Sequence, residues 1–464
     1  MKISSFSRTA ALGLFLTLGL SACEKQLDLD PRQSVDAATA LDSPEKVQSA
    51  LVGAYARLGT GNLYGTNFTL LPELLASDNY VLWQGTFTSY RDVFRRQLTN
   101  NNTEATRTWQ LAYQTINFTN LILEALPVVT DADDKAQYEG EARFIRGALF
   151  FELVRLYGLP YQAGLANPGV PLALTANKTE EQASQQIARA TVGEVYTQVL
   201  ADLRAAEQLL PEENPRGNGR VNKFSAKAML ARVYLQQGNY AQARNLANQV
   251  IEDGANVGLD LTPSVTAPFR VRNSSESLFE IQQNDQYNAG TANDGLTTFF
   301  APSNKGRGDV AVLDPFLALF EPNDLRGPDA GLLFTEDTGG RAGRIRTTKW
   351  NEFGQNLPII RLAEMYLTRA EANFELGSAV GATPLVDINT IRERANATPL
   401  TTVTLNDILL ERQLELAFEG VRIHDIKRRQ RTTGTLAWNS PRLVFPIPLY
   451  ELNLNKALVQ NPGY

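Results

Sequence analysis

The sequence predicts a mostly α-helical protein built on tetratricopeptide-type helix pairs, interrupted by two irregular, loop-rich stretches with minor β structure. Three observations lead there. Apolar residues recur at three- and four-residue spacing through much of the 464-residue chain, the period of a helix with one buried face. Two helix pairs carry small residues where they would meet, which is the layout of a helical repeat. Residues 59–97 and about 255–357 are instead rich in Gly, Asn, Asp and aromatics without any period.

Taken in order, the chain opens on Lys2 and Arg8, followed by the apolar run TAALGLFLTLGLSA. A basic start, an apolar middle and a small-residue end form a secretory leader, short of the roughly 20 apolar residues a membrane span needs. Leu20-Ser21-Ala22-Cys23 resembles a bacterial lipobox, so residues 1–22 are expected to be a lipoprotein signal peptide and Cys23 the lipidated N-terminus. A plain cleaved signal with an incidental cysteine is the competing reading. Cys23 is the only cysteine, which excludes a disulfide within the chain. A nucleophile would need a nearby base, and the single histidine is His424. Residues 23–42, beginning EKQLDLDP after the cysteine, read as an extended tether.

The first helix is announced by Ser43 as cap, Pro44 in the first turn and Glu45, with Val47, Leu51, Ala54, Tyr55 and Leu58 on one face. A second runs from Thr103 with Trp109, Ala112, Tyr113 and Ile116 at helical spacing, and a third covers Gln137–Gly158. A Pro/Gly-rich connector follows. In Ala226–Gly254, Leu230, Ala231 and Tyr234 face Ala243, Ala247 and Val250 across the turn Gly238-Asn239-Tyr240. Small residues let the two helices approach, with Tyr234 and Tyr240 filling the groove. Leu362–Gly377 with Pro384–Ala395 repeats the pattern more loosely. Within 255–357 one run, SLFEIQ, has strand character.

Removal of residues 1–22 leaves 42 basic and 50 acidic residues, since only Lys2 and Arg8 are lost. An acidic balance argues against a nucleic-acid partner. One histidine and no HExxH or CxxC motif argue against a metal or catalytic centre. Glu411, Arg412, Glu415, Glu419 and Arg422 are expected to pair along one helix at three- and four-residue spacing, and KRRQR at 427–431 to be a solvated helix end. Trp109 and Trp350 read as core.

Several stretches together resemble the SusD/RagB family of nutrient-binding outer-membrane lipoproteins: WQLAYQTINFTNLIL, GEARFIRGALFFELVRLYGLP, IIRLAEMYLTRAEANFELG, INTIRERA, ERQLELAFEGVRIHDIKR and the closing RLVFPIPLYELNLNKALVQNPGY. The resemblance spans nearly the whole mature chain. It implies four tetratricopeptide units in a superhelical scaffold packed against an irregular half that holds the ligand. It divides the mature protein into an N-terminal region, 43–220, and a C-terminal region, 221–464, forming one compact unit. It further implies a non-catalytic protein without cofactor that captures oligosaccharides or peptides above a TonB-dependent transporter. Acidic residues behind the cysteine resemble the surface-export signal of Bacteroidetes lipoproteins and place it on the cell exterior. A tetratricopeptide scaffold that binds other proteins is the alternative.

Sugar recognition needs aromatic faces for pyranose rings and polar side chains for hydroxyls. The first irregular stretch offers Asp78, Asn79, Tyr80, Trp83, Phe87 and Tyr90, and the second offers Asn284, Asp285, Tyr287, Asn293, Asp294, Phe299 and Phe300. For Trp83, ligand platform and buried core are even readings, because tryptophan is usually largely buried.

Overall fold

Each long helix packs on its successor. In the computed structural model, which describes residues 40–464 apart from 218, 329, 338 and 339, Pro44–Leu58 lies on Thr103–Ala125, which lies on Ala132–Tyr157. The series continues through Val192–Leu209, Lys223–Gln237, Tyr240–Gly254 and Leu362–Glu375 to Pro384–Arg394 and Leu405–Glu415. This is a tetratricopeptide-like array, in which each unit buries its apolar face on a neighbour. Residues 43–464 form one compact unit. Residues 1–22, expected to be a leader, and Cys23 lie outside the described residues.

The close approach is visible at Gly147, where a Cβ would sit 3.1 Å from Leu203 and 3.2 Å from Asp202 of the facing helix. That contact also brings Arg146 onto Asp202, with Nη2 2.7 Å from Oδ1. The Val192–Leu209 helix is absent from the sequence reading. Its start carries a capping box, Thr191 with Glu194, a signal the sequence does contain. The third helix also begins earlier than expected, at Ala132, with Asp131 as its cap. Gly238 closes Lys223–Gln237 in the left-handed region at φ 75°, where glycine bears no Cβ penalty. Tyr234 is buried and its hydroxyl accepts from Arg204 Nε at 3.0 Å. Tyr240 is half-buried, its hydroxyl accepting from Arg429 at 2.6 Å.

The irregular stretches hold more β structure than SLFEIQ alone. Antiparallel strands β1 (Val81–Trp83), β3 (Val310–Val312), β5 (Ile345–Thr347) and β4 (Leu333–Thr335) form one sheet in that order. Strand β2 (Ser277–Ile281) pairs with β6 (Leu357–Arg361). The apolar run LPIIR of β6 suits strand and helix alike, and the helix begins only after it, at Leu362. Three-residue strands are too short to show a period. The β1–β3 register, Trp83 opposite Val310, joins the two irregular stretches into one layer.

Expected ion pairs along 411–422 form across elements instead. Glu411 binds Arg326 at 2.6 Å, Arg412 binds Glu364 at 3.1 Å, and Glu419 binds Lys349 at 2.6 Å. Burial drives this: charges shut away from water must find partners wherever the packing places them. Of the KRRQR segment, Lys427 and Arg428 are buried, against the expectation of a solvated end. Lys427 Nζ donates to the Leu443 carbonyl at 2.7 Å, and burial pushes its ammonium down to about 7. Trp109 and Trp350 are core, 3% and 1% exposed.

Candidate ligand-binding site

The two stretches singled out by composition meet in an aromatic cluster. From β1 the chain passes Gln84-Gly85-Thr86-Phe87 into the Thr88–Arg95 helix. Gly85 folds so tightly over Trp83 that a Cβ there would lie 2.5 Å from the indole. Trp83 meets Tyr90 at 5.3 Å and Phe299 at 5.7 Å between ring centroids, and Tyr90 meets Phe299 at 5.0 Å. Phe87 closes the group at 6.3 Å from Tyr90 and 6.0 Å from Phe299, edge to face in both cases. Such offset geometries suit the ring quadrupoles.

Exposure divides the four rings. Trp83, Tyr90 and Phe299 are 5%, 2% and 1% exposed, whereas Phe87 is 36% exposed. Three rings therefore form a buried mount, and Phe87 alone of the four reaches solvent. Arg307 lies over the Phe87 ring at 4.7 Å and donates to Thr86 Oγ1 at 2.8 Å and to Asp309 Oδ2 at 2.8 Å. Trp83 Nε1 is buried without a hydrogen bond among the described residues.

Polar groups fasten the mount from below. The Tyr90 hydroxyl donates to Asn67 Oδ1 at 2.9 Å and lies 3.3 Å from Asp294 Oδ1. Asn67 in turn donates to Thr108 at 2.9 Å and to Glu104 at 3.3 Å, and Ser89 donates to Glu104 at 2.9 Å. Burial pushes the Asp294 carboxyl up to about 6, reinforced by the nearby Glu104 charge. Thr66 Oγ1 donates to the Asp294 carbonyl, so the second irregular stretch is tied to the turn after the first helix.

Tyr287 projects from its loop, 77% exposed. Asn284 builds that turn: its Oδ1 accepts from the Gln286 and Tyr287 amides at 2.9 Å each. Asn293 sits at φ 58° in the left-handed region and is exposed. Phe353, missed by sequence reading, packs over Gly290 and is 41% exposed. It borders a cavity of about 400 Å³ shared with Arg270, Asp285 and Glu352. Its signal in the sequence is slight, a single ring three residues after the core Trp350. Contacts link this edge to Phe87: Thr297 Oγ1 donates to the Glu352 carbonyl at 3.0 Å, and the Arg307 amide donates to the Thr298 carbonyl at 2.6 Å.

Other candidates lie elsewhere. Tyr80 and Phe300 are 0% and 1% exposed and pack on Phe418, so the structure makes them core rather than ligand surface. Asp78 is engaged by Arg96 and accepts from Thr433 Oγ1 at 2.9 Å. Asn79 is exposed at φ 55°. No group of three or more His, Cys, Asp or Glu suited to a metal ion occurs among the described residues.

A tetratricopeptide-like array carrying an irregular layer with a mounted, solvent-facing ring defines a ligand-binding scaffold protein. Comparison with known proteins names the class. The chain belongs to the SusD/RagB family: a profile described as starch-binding, associating with the outer membrane, matches residues 25–235, and the SusD family profile matches 344–442. Members of this family are binding proteins and not enzymes, and association with the outer membrane goes with it. SusD-like protein P2 of Formosa agariphila is 26% identical, covering 90% of this chain and 92% of its own. Starch-binding protein SusD of Bacteroides thetaiotaomicron is 24% identical over 98% of each. Among solved structures, a putative sugar binding protein from Bacteroides vulgatus superposes with a TM-score of 0.80 at 25% identity, covering 92% of this chain and 100% of its own. A laminarin binding SusD-like protein gives 0.75 at 24% identity, covering 91% and 100%.

Proposed function

We propose that this protein is a lipoprotein anchored through Cys23 at the outer face of the outer membrane, where it captures an oligosaccharide and passes it to a TonB-dependent transporter. The observation that carries the capture step is Phe87: an exposed ring packed on two buried rings, Tyr90 and Phe299, one from each irregular stretch, with Trp83 behind them. A pre-set aromatic face stacks on a pyranose ring without ordering cost at binding. Tyr287 and Phe353 offer further rings, and Asn284 and Asn293 planar amides for hydroxyls. Relatives named for starch and laminarin support a glucan as the first ligand to try.

Isothermal titration of the mature protein with maltooligosaccharides and laminarioligosaccharides tests the reading. Saturable binding of one series is expected, with the glycan recovered unchanged by chromatography. Binding of neither series, alongside binding of a mixed peptide pool, would replace glycan with peptide. For the anchor, Cys23→Ser is expected to leave the membrane fraction, and unchanged fractionation would remove lipidation from the account.

A further inference from the structure

A second site lies away from the aromatic cluster, in the groove between the Leu405–Glu415 and Arg422–Arg428 helices. It encloses about 220 Å³, with Leu409, Leu416, Ala417, Val421 and Ile426 among its walls. Arg422 borders the same space. Its guanidinium carbon lies 4.4 Å from the centre of the Tyr80 ring, and its Nε is buried without a hydrogen bond among the described residues.

Arg422 is surrounded by acids that are engaged elsewhere. Asp425 accepts from Arg412 at 2.9 Å and from Arg428 at 2.7 Å. Asp78 is held by Arg96 and by Thr433. Glu73 accepts the Gly420 amide at 2.7 Å, and burial pushes its carboxyl up to about 7, which weakens its charge. Arg422 therefore forms no ion pair at bonding distance among the described residues. On the rim, the exposed Arg431 side chain hydrogen-bonds, among the described residues, only to the neutral Asn406, at 2.7 Å. The third arginine, Arg429, is already paired with Glu375 at 2.6 Å.

An apolar floor beside two guanidiniums that form no ion pair among the described residues has a definite complement. We infer that this groove binds a small apolar monocarboxylate, its carboxylate between Arg422 and Arg431 and its tail along Leu409, Leu416 and Val421. Guanidinium matches carboxylate geometry through paired donors. The size is below the roughly 300–1,000 Å³ of pockets for drug-sized ligands, which limits the tail to a short chain. The Asp425 carboxylate in the same wall disfavours a dianion, so phosphate monoesters and sulfate are poorer complements than a single carboxylate.

Octanoate is the probe, titrated calorimetrically into the full mature protein, with octan-1-ol testing the tail alone and acetate the charge alone. Saturable octanoate binding is expected, with neither control binding below about 5 mM. Arg422→Gln is expected to weaken octanoate about tenfold, the effect of removing one charged hydrogen-bond partner, while glycan affinity stays unchanged. Arg431→Gln is surface-exposed and keeps the test open if Arg422→Gln misfolds; several-fold weakening is expected. Octan-1-ol binding as well as octanoate, no octanoate binding, or unchanged affinity in both variants would each overturn the proposal.

Discussion

Tyr80 holds Phe418 twice: the two rings stack with centroids 5.2 Å apart and planes at 13°, and the Tyr80 hydroxyl accepts the Phe418 amide proton at 2.7 Å. Phe418 stands at φ 66°, a conformation that a bulky residue adopts only when its surroundings impose it. Phe316 packs edge-on against both rings, at 4.8 Å from Tyr80 and 5.9 Å from Phe418. The residue before β1 thus clamps the turn after the Leu405–Glu415 helix, fixing the irregular layer to the last helices.

Tyr80→Phe isolates one half of that clamp. The stack survives, while the buried Phe418 amide loses its acceptor, at a cost of about 1–3 kcal/mol. Urea unfolding is expected to show that loss with glycan affinity unaltered. A variant as stable as wild type would mean the hydroxyl contributes nothing.

Arg361 is the centre of a buried charge network. It reaches Glu276 at 2.5 Å, Glu415 at 3.1 Å and Glu419 at 2.8 Å, and Arg394 binds Glu276 and Glu415 at 2.7 and 2.5 Å. Although burial opposes ionisation, the surrounding guanidiniums hold the Glu415 carboxyl well below the usual carboxylate range. Arg361→Leu strands these carboxylates, and a loss of about 3–5 kcal/mol is expected. Since the network is shielded from solvent, 1 M salt should change the wild-type midpoint little. A loss under 1 kcal/mol, or a network that salt dissolves, would contradict this account.

How much of this was legible depended on the kind of signal. The helix from Ser43 was readable because cap and apolar spacing agree there, and those from Thr103 and Ala226 because their apolar spacing is regular. Strands β1, β3, β4 and β5 were not, because three residues have no readable period and pair only with distant partners. The two site segments were visible by composition, yet Tyr80 and Phe87, seven residues apart, have opposite fates. Nothing local distinguishes them: Phe418 buries the one, and the loop over Gly85 carries the other to solvent. The Arg422 groove was hidden because spacing suggested partners that the fold gives to other arginines.

Asp294 gives the site a pH dependence. Its folded carboxyl titrates near 6, above the 3.8 of the free group. Between those values the folded state holds the proton that the unfolded chain has released, so stability falls as pH rises through that window. The charged groups acting on it are Glu104, which reinforces the shift, and Arg107, which opposes it; the Tyr90 hydroxyl also opposes it. Asp294→Asn keeps an acceptor for Tyr90 and removes the titration. It is expected to flatten the thermal midpoint between pH 4 and 6 and to raise it at pH 7. A wild-type midpoint that climbs steadily from pH 4 to 6, unchanged in the variant, would refute the assignment.

Trp83 and Phe87 should separate folding from binding. Trp83 is 5% exposed and touches both Tyr90 and Phe299, so Trp83→Ala empties a site that cannot collapse around Gly85. The expected loss of stability is about 3–5 kcal/mol. Phe87 is more than a third exposed, and its removal forfeits a smaller burial term, about 1 kcal/mol. Binding should rank them in the other sense once folding is accounted for. Phe87→Ala removes the stacking face and is expected to weaken the glycan at least about tenfold, as central aromatic contacts do. In Trp83→Ala, the fraction that remains folded at low temperature should retain measurable affinity through Phe87. Paired urea melts and glycan titrations at 10 °C decide the matter. Unimpaired binding in Phe87→Ala with complete loss in a folded Trp83→Ala would mean that Trp83 swings out to meet the ligand, and the roles assigned to the two rings would have to be exchanged.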